Sequence, residues 1–203
     1  MIIKVINVLE KEFISFGYTK NEYDEIRNSY SLLNYSEETL LVKFKEIISF
    51  FIELGYTNEE IIKMSKVFSS IYSYSIDNMK QKIADIIELG YTKEEVLKMT
   101  KISPSIYGHS IENLKQKVEF YDSINMHSLA VKSPNQLMQS VVLSYARYQF
   151  YLSKGITVDM ENYRKLFIGN KEFEKAHGIT KEELLEKYPY EAYLEVKKNG
   201  RTV

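Results

Sequence analysis

The sequence contains no cysteine, which excludes a disulfide framework, thiolate catalysis and the usual sulfur-containing zinc sites, and which fits a reducing compartment. Long apolar runs are also missing. The longest apolar stretch, 47–52, falls far short of the roughly 20 residues that a membrane span needs, and lysine and glutamate flank it, so it reads as a buried helix segment. No sign of charge dominates: 27 Lys and Arg stand against 28 Asp and Glu, a formal net charge of −1. A whole-protein field that attracts nucleic acid or an anionic membrane is thereby excluded, and any basic surface must be local. Arginine is scarce, present only at Arg27, Arg147, Arg164 and Arg201. The first thirteen residues hold no basic segment followed by an apolar one, so no secretory or import signal is read and a cytoplasmic location is expected. Catalytic signatures are absent too. His109, His127 and His177 are dispersed, and no glycine-rich phosphate loop, nucleophile elbow or H-E-x-x-H arrangement occurs. The expectation is a chain that is not an enzyme and needs no metal or cofactor.

What is present is a repeat, in a chain whose 203 residues and 44% hydrophobic content suffice for a real core. The segment ELGYTNEEIIKMSKVFSSIYSYSIDNMKQKIADII begins at Glu53 and returns from Glu88 as ELGYTKEEVLKMTKISPSIYGHSIENLKQKVEFYD, a shift of 35 residues. A weaker copy begins near Ser15, and a fourth is centred on 132–154. Each clear copy carries two helix-start signals. The first is Gly-Tyr-Thr-x-x-Glu, at Gly17 to Glu22, Gly55 to Glu60 and Gly90 to Glu95. Glycine can close the preceding helix in a left-handed conformation, threonine caps the next one, and glutamate reaches back in a capping box. Tyrosine stands where a hydrophobic staple meets Ile61 or Val96. Thr180 with Glu183, after Gly178, repeats the signal. The second is a serine cap at Ser36, Ser75, Ser110 and Ser140, followed by apolar residues at helical spacing such as Ile76, Met79, Ile83 and Ile86.

Pro104 and Pro134 lie six residues before a capping serine and end the preceding helix there; Tyr30 and Ser69 occupy the same slot in the other copies. Each repeat therefore reads as helix A, a tight connection and helix B, a unit too small to bury its apolar faces without a neighbour. The predicted fold class is all-α, a superhelical solenoid, right- or left-handed, of helix-pair repeats. About four pairs are expected over 1–157. A helical capping unit and tail should fill 158–203, with 162–175 lacking clean periodicity, 178–190 starting one more unit, and a tail from Lys197.

The pattern over 89–120, with both caps, the proline slot and Ser-Ile-Glu-Asn-Leu-Lys-Gln-Lys in register, resembles the repeat of the mitochondrial transcription termination factor (mTERF) family. The segment from Ser133-Pro134 through Ser140 and Ala146-Arg147-Tyr148-Gln149-Phe150 to Gly155 is similar to that family's closing repeats. The resemblance covers roughly 12–157. It implies a curved solenoid that binds nucleic acid, double-stranded DNA or RNA, along a basic groove. Short length, few arginines and no organelle signal suggest a member of bacterial or phage type.

Seven residues beyond each serine cap stand Lys43, Lys82, Lys117 and Arg147, a cation at one repeat position in all four copies. A second, partial column five residues beyond the cap holds Lys80 and Lys115, and a third on helix A holds Lys63 and Lys98. Equivalent positions in a solenoid line one surface, so these cations read as a ladder of phosphate contacts. The same residues also read as lysines beside the apolar seam, covering core with their stems. Seventeen tyrosines, with Tyr145, Tyr148 and Tyr151 around Arg147, offer base stacking, although packing explains the class better. The alternative to nucleic acid is a protein-binding solenoid that scaffolds or inhibits a partner, which near-zero net charge and few arginines favour.

Overall fold

The computed structural model describes residues 7–199, so the expectations for residues 1–6 and for the last four residues of the tail lie outside the described part. Within it the chain is an all-α helical-repeat fold of twelve α-helices and four 3-10 helices, without a strand. No described helix is long and apolar enough to cross a membrane. The chain divides into two compact units, Met1–His109 and Ser110–Val203.

In the first unit, local cap chemistry sets where the helices begin. Thr19 and Thr57 accept from the N3 backbone N–H while Glu22 and Glu60 accept from the threonine N–H, opening α2 (Lys20–Arg27) and α4 (Asn58–Val67). Thr92 and Glu95 do the same for α6 (Lys93–Ile102). Ser36 and Ser75 cap α3 (Glu37–Glu53) and α5 (Ile76–Glu88). The glycine between the two signals works as expected: Gly17, Gly55 and Gly90 have φ of 126°, 87° and 102°, a region costly for any residue with a Cβ. A first helix, α1 (Val8–Phe16), precedes the first such glycine in the position of a helix B. Helix A packs on helix A (α2 on α4, α4 on α6) and helix B on helix B (α1 on α3, α3 on α5), which buries the faces no single pair can cover. Phe13, Phe44 and Tyr72 meet in this seam, Phe13 stacked on Phe44 at 4.1 Å between centroids.

The tight connection is itself a helix. Ser69–Ser73 (η1) and Pro104–Gly108 (η2) form 3-10 helices. The residue before each is extended, Phe68 at φ −141°, ψ 72° and Ser103 at φ −131°, ψ 77°. Only the second precedes a proline. Burial of Ile71 and Tyr72 imposes the same break where the proline is missing. In the weakest copy the segment after Asn28 makes successive turns instead, tied down by the Arg27 guanidinium donating to the Leu32 and Tyr35 carbonyls.

The second unit holds α7 (Ile111–Ser123), α8 (Leu129–Lys132), the 3-10 helix η3 (Pro134–Met138), α9 (Val141–Ser153), the 3-10 helix η4 (Tyr163–Leu166), α10 (Asn170–His177), α11 (Lys181–Lys187) and α12 (Tyr190–Lys198). Ser110 and Ser140 cap α7 and α9 as expected. At the helix A start, however, Asn125 takes the glycine's role at φ 58° and Met126 takes the tyrosine's buried place. No capping box forms at Ser128, and helix A shrinks to the four residues of α8.

The stretch expected to lack periodicity contains a further repeat reduced to its 3-10 helix and helix B, with no helix A. Tyr163 opens η4 six residues before Gly169, the N-cap of α10, the spacing that separates Pro134 from Ser140. A sixth begins at the Thr180 capping box and continues through Tyr188, whose φ −129°, ψ 69° before Pro189 repeat the backbone before Pro104 and Pro134. The α12 helix runs through Lys197 to Lys198, where a tail was expected to begin. Since α9 packs against η4, α11 and α12, residues after 157 build directly onto the last clear pair. The change in sequence pattern at 157 is thus distinct from the division between compact units.

Candidate nucleic-acid interface

Helix periodicity puts the residue seven beyond a serine cap at the edge of the apolar seam, and from there a long cationic side chain can turn outward or inward. In three of the four copies it turns inward. Lys43 Nζ donates to the Ser73 carbonyl at 3.4 Å, at the end of the next pair's 3-10 helix. Lys117 Nζ donates to the Leu137 carbonyl in η3, and Arg147 Nη1 donates to the Leu166 carbonyl at the end of η4 at 2.9 Å. In the copies with Lys43, Lys117 and Arg147 the cation therefore closes the C-terminal end of the following 3-10 helix, where carbonyls lack intrahelical donors and the dipole is negative. Lys117 is 4% exposed and Arg147 2%, while Lys43 and Lys82 are half-buried. Burial pulls both the Lys117 ammonium and the Arg147 guanidinium below their ordinary pKa. This corrects the expectation of one phosphate ladder: Lys117 and Arg147 are occupied inside their own unit and do not face an open surface.

The two partial columns behave differently. Lys80 and Lys115 are exposed on α5 and α7, and Lys63 and Lys98 are exposed on α4 and α6. None of the four forms an ion pair among the described residues. Lys63 and Lys98 occupy the same position on adjacent packed helices, whose axes lie about 8–10 Å apart. Beside them, a cleft of about 270 Å³ between α4 and α6 is lined by Lys63, Met64, Val67, Lys101 and Ile102.

The tyrosines belong to the packing, and their hydroxyls do more than a staple requires. Tyr18 OH lies 2.6 Å from Ser65 Oγ and 2.7 Å from Tyr72 OH in the next pair, and Tyr56 OH lies 2.7 Å from Thr100 Oγ1. Tyr107, at the Tyr72 position, has a buried hydroxyl that interacts with the Tyr56 and Thr100 hydroxyls without completing a well-formed hydrogen bond. Tyr145 and Tyr151 are buried, and Tyr148, aligned with buried Val118, is only half-buried with its ring 6.1 Å from Phe120. Charge also ties successive pairs: Lys66 to Glu22 and Lys101 to Glu60. The Lys66 ammonium, with the Thr19 amide and hydroxyl, lowers the Glu22 carboxyl to about 2. These ties were missed in the sequence, although a signal existed: Ser65/Thr100, Tyr72/Tyr107 and Lys66/Lys101 each recur at the 35-residue shift.

Residues 13–88, which run from α1 to the end of α5, match the family model described as mTERF. No curated protein matches the chain.

Proposed function

We propose that this chain, whose residues 13–88 match the mTERF family model, is an mTERF-like helical-repeat protein that binds nucleic acid through backbone phosphates with little regard to sequence. The mTERF family is known for helical repeats that bind nucleic acid. The observation that carries the reading is the pair of repeat-equivalent, exposed lysines on adjacent helices, Lys63 and Lys98, neither of them in an ion pair among the described residues. Lys80 in the same unit, and Lys115 at its repeat-equivalent position in the second, add two more exposed ammonium groups. Such groups bind phosphate as point charges; they position the ligand and read no base edges.

The test is fluorescence anisotropy of labelled duplex DNA and single-stranded RNA across a salt series, comparing the native chain with a Lys63/Lys80/Lys98/Lys115 quadruple alanine variant. On duplex DNA each neutralised phosphate contributes about −0.9 to the log–log salt slope, so the variant should bind more weakly and flatten the slope by about that amount for every phosphate it no longer neutralises. Flat native titrations with both ligands at low salt would remove this reading. A protein partner is then favoured by Val67 and Ile102, exposed at equivalent positions beside the α4–α6 cleft at 74% and 47%. In that case Val67→Asp with Ile102→Asp should abolish a pull-down that survives nuclease.

A further inference from the structure

Two helices B of the first unit carry the same stripe of residues on a face that the unit leaves exposed. On α3 the stripe is Lys45, Ser49, Ile52 and Glu53; on α5, at the 35-residue shift, it is Lys80, Ala84, Ile87 and Glu88. Spacings of four, seven and eight residues fall on one side of a helix, and all eight residues are exposed. Because α3 packs on α5, the stripes lie side by side, about 8–10 Å apart.

Two features of this face have no use within the unit. Ile52 is 49% exposed and Ile87 38%, at one repeat position on adjacent helices, so the apolar surface is a rung and not a scatter of single residues. Glu53 and Glu88 are the last residues of their helices, where the dipole is negative and repels a carboxylate. Neither helix has a basic residue in its last turn, and neither glutamate forms an ion pair among the described residues. Both carboxylates therefore lack the cation that their position calls for. At the other end of the stripe, Lys80 has no ion pair there either, and Lys45 bridges Glu12 at 2.9 Å while staying 56% exposed, with ammonium donors to spare.

The order of residues makes the face complementary to itself. Lysine and glutamate stand eight residues apart, about 12 Å along the helix, and the small residue, Ser49 or Ala84, is at the midpoint. A two-fold axis laid across the small residues, at right angles to the helices, brings Lys45 opposite Glu53 and Lys80 opposite Glu88 of a second copy. Ile52 and Ile87 then lie against the lysine stems, and the small midpoint residues let the antiparallel helices approach. A two-fold axis parallel to the helices instead sets lysine on lysine and glutamate on glutamate, so the charges select one register. The neighbouring helices B lack the full stripe. In α1 only Ile14 remains, with Lys11 at the small position, and in α7 Glu119 and Asp122 replace the small residue and the isoleucine.

We infer that the α3–α5 face is a self-association surface, covered by the same face of a second copy of this chain in antiparallel register. Charge complementarity fixes the orientation, and the isoleucine rung supplies the apolar contact. Lys63 and Lys98 lie on helices A, outside this face. Lys80 is common to both readings, but reversing Glu53 and Glu88 alters none of the four lysines proposed to hold nucleic acid, so the two readings fail separately.

The test is sedimentation velocity of the full chain over a concentration series, which should take the native chain from monomer to dimer. Lys45→Glu with Lys80→Glu makes the face wholly acidic, and Glu53→Lys with Glu88→Lys makes it wholly basic. Each variant should stay monomeric where the native chain dimerises, and an equimolar mixture of the two should dimerise again. Circular dichroism establishes that both fold, and the fourfold swap that carries all these changes in one chain, expected to be dimeric, keeps the test decisive if either does not. A native chain that stays monomeric throughout the series, a dimer that persists in either single-sign variant, or folded variants whose mixture stays monomeric overturns the inference.

Discussion

The two compact units use one repeat plan and hold it together by different means. In Met1–His109 complete capping boxes at Thr19, Thr57 and Thr92 set the helix starts, and the ties between pairs are regular and polar: lysine–glutamate bridges and tyrosine hydroxyls bonded across to the next helix A. In Ser110–Val203 the first helix A has dwindled to α8, and although a capping box returns at Thr180 and Lys197 bridges Glu119, buried cations and packed rings do most of the tying. Phe120 meets Tyr145 and Tyr193, and Phe150 meets Phe173, with centroids 5.3–6.0 Å apart. The difference teaches that the repeat register survives loss of its most visible motif so long as the 3-10 helix and the cation that closes it remain.

The sharpest break in the comparison is at the position shared by Lys82 and Arg147. Arg147→Ala should destabilise the chain by about 3 kcal/mol, since it empties a buried volume and strands the Leu166 carbonyl. Lys82→Ala, half-exposed at the equivalent place, should stay within about 0.5 kcal/mol. Urea unfolding of both variants checks the pair; equal losses would erase the distinction between the units.

Next in size are the tyrosine hydroxyls. Tyr18→Phe removes the group that joins Ser65 to Tyr72 and should cost about 2 kcal/mol, whereas Tyr107→Phe deletes a buried hydroxyl that completes no well-formed hydrogen bond with Tyr56 or Thr100 and should cost less than about 0.5 kcal/mol by the same measurement. Smaller again are the caps. Thr92→Ala should cost about 1 kcal/mol, while Ser128→Ala, at a position that makes no cap bond, should cost almost nothing.

The smallest effect is one of pH. The folded-state pKa of Glu22 is depressed, so its contribution is fully present above the unfolded value of 4.5 and is lost as pH falls toward about 2. Glu22→Gln should make Tm less sensitive to pH over that window and leave its pH dependence above 5 unchanged. A Tm profile of unaltered steepness would show that the Lys66 bridge, exposed as it is, contributes nothing.

Much of this was legible in the residues because capping is local chemistry. A threonine three residues before a glutamate, a serine before an apolar period, and a glycine between them act over one helical turn, so each expected start from Thr19 to Ser140 appears where the motif stands. The fifth repeat escaped because Gly169 replaces the serine and Tyr163 the proline; only the six-residue spacing survived, and spacing alone is weak without the cap. The Lys43, Lys82, Lys117 and Arg147 column was visible as a pattern, but its direction was not. A cation at the edge of an apolar stripe has the same sequence signature whether it reaches a phosphate or the next pair's carbonyl.

By itself, then, the sequence determined the repeat, its period and the start of nearly every clear helix, because those depend on interactions within a turn or two of the chain. Tertiary structure alone decided which cations are buried and which tyrosine hydroxyls find partners. Each of these depends on what the neighbouring pair brings to within hydrogen-bonding distance, and no stretch of chain within one pair contains that information.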